Sequence, residues 1–153
     1  MIEVAVQVEG DLDAEPLVER LRWACDRLGI GRATMGLLVV GANRMRQLNY
    51  RHRGVDRATD VLSFPLDGPD LAEGWPSDGP PPELGDVIIC PEEAEDPLEA
   101  LALHGLLHLL GYDHEADGGE MLALQDRLIA EAGGEPAPPP PGGHEADPGP
   151  GAR

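Results

Sequence analysis

Residues 98 to 111, LEALALHGLLHLLG, are apolar at almost every position, and the interruptions are one glutamate and two histidines. A helix of that composition has no polar face to offer water, so the rest of the chain must cover it on most sides. Its ends are marked: Asp96, Pro97 and Glu99 read as an N-cap, a proline at the first helical position and a capping-box acid, and Gly111 reads as the stop. A length of 153 residues predicts one domain, and a chain of that size buries about two thirds of its surface on folding. The hydrophobic fraction of 41% rules out wholesale disorder. With one Phe, two Trp and two Tyr, the core around this helix must be mainly Leu, Val, Ile and Ala.

The covering elements can be read in order. Residues 2 to 8, IEVAVQV, alternate as a strand with one buried face. A helix follows from AEPLVERLRWACDRLG, with Asp13 ahead of it, Pro16 in its first turn, Leu17, Leu21, Ala24 and Leu28 at helical spacing, and Gly29 as its stop. TMGLLVV (34 to 40) is a more buried strand, Asn43 is expected to cap a short helix through Leu48, and VLSFP (61 to 65) and DVIIC (86 to 90) are two more strands. A final amphipathic helix, about 117 to 132, turns Met121, Leu124, Leu128 and Ile129 inward. The Pro-, Gly- and acid-rich stretch between the last two strands is expected to be a long exposed loop. The last twenty residues, with seven Pro and five Gly, are expected to be a disordered tail in which His144 is a bystander, leaving residues 1–133 as the folded domain.

No apolar run of about 18 residues is present, so no membrane span is expected. The amino terminus lacks the basic start and apolar stretch of a signal peptide. Cys25 and Cys90 stand far apart without a CxxC and read as two buried reduced thiols of a cytosolic protein.

A net charge of −18 argues against nucleic acid as a partner, but the charge is segregated. Residues 20 to 57 hold nine Arg against Asp26 and Asp56, whereas residues 58 to 126 hold seventeen acids and no Lys or Arg. One face can therefore suit an anionic partner; equally, the arginines can simply neutralise neighbouring acids.

Three of the five histidines, His104, His108 and His114, fall within HGLLHLLGYDH. The i, i+4 spacing sets His104 and His108 on one helical face with Cβ atoms about 5–6 Å apart, and the turn after Gly111 can fold His114 back toward them. Three neutral imidazoles around a tetrahedral ion leave one position for water, the pattern of a catalytic zinc. The bland reading is a pair of core histidines and a third near the last carbonyls. Buried imidazoles nevertheless need partners, at a cost of about 1–3 kcal/mol for each group left without one, and a shared metal supplies them. In zinc peptidases the residue after the first histidine is a glutamate that acts as general base; here it is Gly105, which argues against proteolysis.

These residues, together with LNYRHRGVDRATDVLSFP at 48 to 65 and LGDV at 84 to 87, resemble the YbeY family of bacterial rRNA-maturation endoribonucleases, over about residues 2 to 132. Ala58 stands where many members carry a proline before the Thr-Asp pair. The resemblance implies an α+β fold, a small mixed sheet of about four strands flanked by helices, with a three-His metal site on the buried helix and the turn after it. It implies one zinc ion held by His104, His108 and His114, although nickel, copper or iron suit the same donors. It also implies Arg51 as the functionally important arginine. The implied activity is single-strand-specific cleavage in ribosomal RNA 3′-end maturation and ribosome quality control, in the cytoplasm. The implied partners are a ribosomal RNA precursor and the small ribosomal subunit or its proteins. Arg44, Arg46, Arg53 and Arg57, which crowd into fourteen residues with Arg51, are candidate RNA contacts because a guanidinium fork suits phosphate. Asp113 can orient a histidine or water, or be a turn residue. The competing expectations are a non-catalytic assembly factor with a structural metal that docks pre-ribosomal RNA or a ribosomal protein, and a metal hydrolase of small molecules.

Overall fold

The computed structural model describes residues 2–66, 79–112 and 118–132. Four strands form one mixed sheet: β1 (Glu3–Val8), β2 (Thr34–Val39), β3 (Val61–Pro65) and β4 (Glu83–Ile89), in the order β1-β2-β4-β3. β1 and β4 both run parallel to β2, and β3 is the antiparallel edge strand beside β4. Four helices accompany the sheet: α1 (Glu15–Arg27), α2 (Ala42–Arg53), α3 (Leu98–Leu109) and α4 (Glu120–Ala132). The expected α+β class is therefore the one observed. None of these helices is long and apolar enough to cross a membrane.

Strand periodicity divides the core into two layers, because successive side chains point to opposite faces. Met35, Leu37, Val61, Val87 and Ile89 pack against α1, α3 and α4. Leu38, Leu62, Phe64 and Ile88 face the other way, against Met45 and Leu48 of α2. Helix α3 lies in the larger layer with every residue from Leu101 to Leu107 buried, as its composition requires. Cys25 and Cys90 are both buried free thiols.

Several boundaries differ from expectation. The N-cap of α3 is Pro97 rather than Asp96, and Glu99 lies 3.6 Å from Arg20 of α1. Asn43 does not cap α2. The N-cap is Gly41, and the Gly41 and Ala42 amides donate to Glu9 and Glu92 at 3.0 and 2.8 Å. Carboxylates from two distant stretches of the chain thus serve the positive end of the helix, which then continues through Arg53 rather than ending at Leu48. β4 starts at Glu83, absorbing the end of the expected loop. In α4, Met121 and Leu128 are buried but Ile129 is 37% exposed, at the margin of the stripe. The loop residues 67–78, the start of the last helix at 117 and the tail 134–153 with His144 lie outside the described residues.

Candidate metal centre

His104 and His108 sit one turn apart on α3, their ring centroids 4.8 Å apart and their planes at 78°. His104 is 3% exposed, and His108 lies nearer the surface. Each ring is held through its Nδ1. His104 Nδ1–H donates to Oε1 of Gln125, on α4, at 2.8 Å. His108 Nδ1–H donates to the Tyr112 carbonyl at 3.0 Å. An imidazole protonated at Nδ1 carries its lone pair on Nε2, the form in which neutral histidine ligates a metal. Two adjacent imidazoles of that tautomer fit a borderline-soft divalent ion such as zinc. His114 and Asp113 lie outside the described residues.

The hold on His108 is a consequence of how α3 ends. Gly111 takes φ +101°, a left-handed conformation in which a side chain is strained. Its amide donates to the His108 carbonyl at 3.0 Å, and the Tyr112 amide donates to the Leu107 carbonyl at 3.0 Å. This paired closure is the Schellman end of a helix, and it turns the Tyr112 carbonyl toward the His108 ring. A stop signal legible in the sequence therefore sets a histidine tautomer.

Gly105 has a structural reason as well as a chemical consequence. A Cβ built there would lie 2.6 Å from Cγ1 of Val87 and 3.2 Å from the Ser63 hydroxyl oxygen. Ser63 Oγ donates to the Gly105 carbonyl at 3.3 Å, tying α3 to β3. Position 105 thus faces the sheet, and a glutamate there would be driven into β4.

The arginines separate into two groups. Arg46 makes a bidentate pair with Asp56, at 2.7 and 3.2 Å, and Arg44 lies 3.9 Å from Glu9. The Arg46 hydrogen bond holds the Asp56 carboxyl below its ordinary range and raises the guanidinium in turn. For these two, the reading of a surface that neutralises its own acids holds. Arg51, Arg53 and Arg57 form no ion pair among the described residues. Arg51 and Arg53 occupy the last turn of α2, and Asn49, itself buried, donates Nδ2 to the Arg57 carbonyl at 2.9 Å and so fixes the loop that carries it. Next to Arg51, the exposed His52 packs against Phe64 of β3, with ring centroids 4.7 Å apart and planes at 49°. The two motifs therefore meet at β3, with the arginine end of α2 on one face of this edge strand and α3 on the other.

Gln125 was not among the residues singled out from the sequence. The available signal is its place in the α4 stripe, four residues after Met121 and three before Leu128, where it is the one amide in an otherwise apolar row.

Comparison with known proteins places the chain beside a family of named relatives. The sequence profile described as Endoribonuclease YbeY matches residues 18–133. A protein of Salinispora tropica named Endoribonuclease YbeY is 38% identical, over 84% of this chain and 94% of its own. One of the same name from Micrococcus luteus is 37% identical, over 91% of this chain and 96% of its own. The solution structure of TM1509 from Thermotoga maritima is similar with a TM-score of 0.56 and 30% identity, covering 88% of this chain and 90% of that one.

Proposed function

The chain belongs to the YbeY family, and from that membership we propose that it is a zinc-dependent, single-strand-specific endoribonuclease. It acts in ribosomal RNA 3′-end maturation and ribosome quality control, on a precursor RNA and in company with the small ribosomal subunit or its proteins. Its place of work is accordingly the cytoplasm. The observation that carries this reading is the pair His104 and His108, adjacent on α3 and both donating from Nδ1.

His104, His108 and His114 would hold the zinc, which would supply Lewis acidity toward water and a phosphoryl oxygen. The remaining work falls to the chain. Arg51 receives the scissile phosphate and stabilises the charge that grows on its oxygens, a role suited to a guanidinium with no described acidic partner. Arg53 and Arg57 hold flanking phosphates, with Arg44 and Arg46 contributing less because acids already engage them. Gly105 handles no proton, which separates this site from that of a zinc peptidase. The acidic remainder of the surface repels RNA and confines it to the β3 edge.

The test is cleavage of a single-stranded ribosomal RNA precursor by the purified full chain, with zinc measured in the same preparation. About one zinc per chain is expected, and His104→Ala or His108→Ala loses both metal and cleavage. Arg51→Ala retains zinc and RNA binding while cleavage falls about 10²–10³-fold. Full cleavage after both histidine substitutions and chelation overturns the proposal. Loss of RNA binding alone in Arg51→Ala favours the docking factor with a structural metal.

A further inference from the structure

We infer that Gln125 is a positioning residue for metal capture: its side-chain carbonyl, reaching from α4, fixes the tautomer and orientation of His104. The inference rests on the zinc reading above and adds to it a residue outside the three-histidine motif.

The two ring contacts differ in origin. His108 is restrained by its own helix end, through a backbone carbonyl four residues on. His104 lies inside α3, more than a turn from the helix end, so no carbonyl of the chain's closing turn serves it. Its restraint comes from another element, where the acceptor is Gln125 Oε1 at 2.8 Å. Met121 and Leu128 are both buried in the shared core and pin α4 one turn to either side of Gln125. The carbonyl is thereby delivered by packing rather than by a mobile side chain on an open surface.

A neutral amide oxygen accepts from Nδ1–H and so leaves the lone pair on Nε2. A ring free to rotate or to change tautomer would spend part of its time presenting the wrong nitrogen, and metal affinity would fall by that fraction. Such outer partners of metal-ligating histidines are typically worth about 10–100-fold in affinity.

The test compares the full-length chain with Gln125→Leu, which removes the acceptor, and Gln125→Glu, which keeps one. Zinc affinity is read by competition with a chelator of known strength, and the protonated nitrogen of His104 by nitrogen NMR of the zinc-loaded protein. The expected result is zinc binding about 10–100-fold weaker in Gln125→Leu and at least as tight as the parent in Gln125→Glu, with the parent His104 protonated at Nδ1. Equal affinity in parent and Gln125→Leu overturns the role of Gln125 and leaves the zinc reading standing. Failure of Gln125→Glu to restore affinity assigns the loss to α4 packing and overturns it too. If Gln125→Leu does not fold, a parent His104 protonated at Nε2 is sufficient to overturn the inference. A parent that binds no zinc overturns both readings together.

Discussion

Gly105 carries two meanings, and the sequence displays only one. Beside His104 it shows that a peptidase general base is missing. Why the position is glycine depends on the distance between α3 and β4, which no local pattern encodes. Gly105→Ala is expected to cost about 1–3 kcal/mol through overpacking against Val87, seen as a lower urea midpoint with an unchanged slope. Gly105→Glu is expected to disrupt the α3–sheet contact further and to produce no peptidase activity, measured on an unstructured protein substrate. A stable Gly105→Glu chain that cleaves peptides would show that position 105 faces the metal. The same contrast holds for His104 and His108. Their shared helical face follows from spacing, but the acceptor for His104 comes from α4, at position 125, and only packing brings it there.

Among the elements, α2 departs most from its sequence reading. Its amino end has no Ser, Thr or Asp to mark it, because the accepting carboxylates belong to Glu9 and Glu92, from distant parts of the chain. Extension to Arg53 then places Arg51 and Arg53 on a helical turn instead of a loop. Helix α3, by contrast, is legible because its apolar composition admits one solution, and its last residue is set by Gly111. The division among the arginines leads to a salt-dependence prediction. For RNA binding, each phosphate contact on a single strand contributes a slope of about 0.7 in log affinity against log salt. Arg53→Ala and Arg57→Ala are each expected to flatten the slope by about that amount, and Arg46→Ala by less, since Asp56 already engages it. Titration of the same RNA at several salt concentrations measures this, and an Arg46→Ala slope as flat as the other two would refute the division.

For the whole molecule, the two layers either side of the sheet decide what is accessible. Cys25 lies in the larger layer, where burial, with Asp26 adding to it, pushes its thiol from an ordinary 9.0 up to about 12. Burial also raises Cys90. The folded state therefore favours the protonated thiol. This contribution to stability is complete below pH 9.0 and is lost as pH climbs from there toward about 12, because the unfolded chain ionises first. Denaturant unfolding across that window is expected to show stability falling with pH, with a shallower fall in Cys25→Ala. Below it, neither thiol is expected to react with an alkylating reagent at pH 8 until the chain is unfolded; rapid labelling of the native protein would contradict the packing described.

The sequence by itself determined the elements whose cause is local: the buried helix, its glycine stop, the histidines on one face of it, the four strands, and the absence of a base at position 105. These follow from composition and spacing within a turn or a strand. Tertiary structure alone decided the strand order, the carboxylates that hold α2, the acids that occupy Arg44 and Arg46, and the glutamine that reaches His104. Each of those joins residues of separate segments, ten or more positions apart in the chain. Such pairings depend on where a side chain is carried by the packing of its whole element, a property that no window of sequence contains.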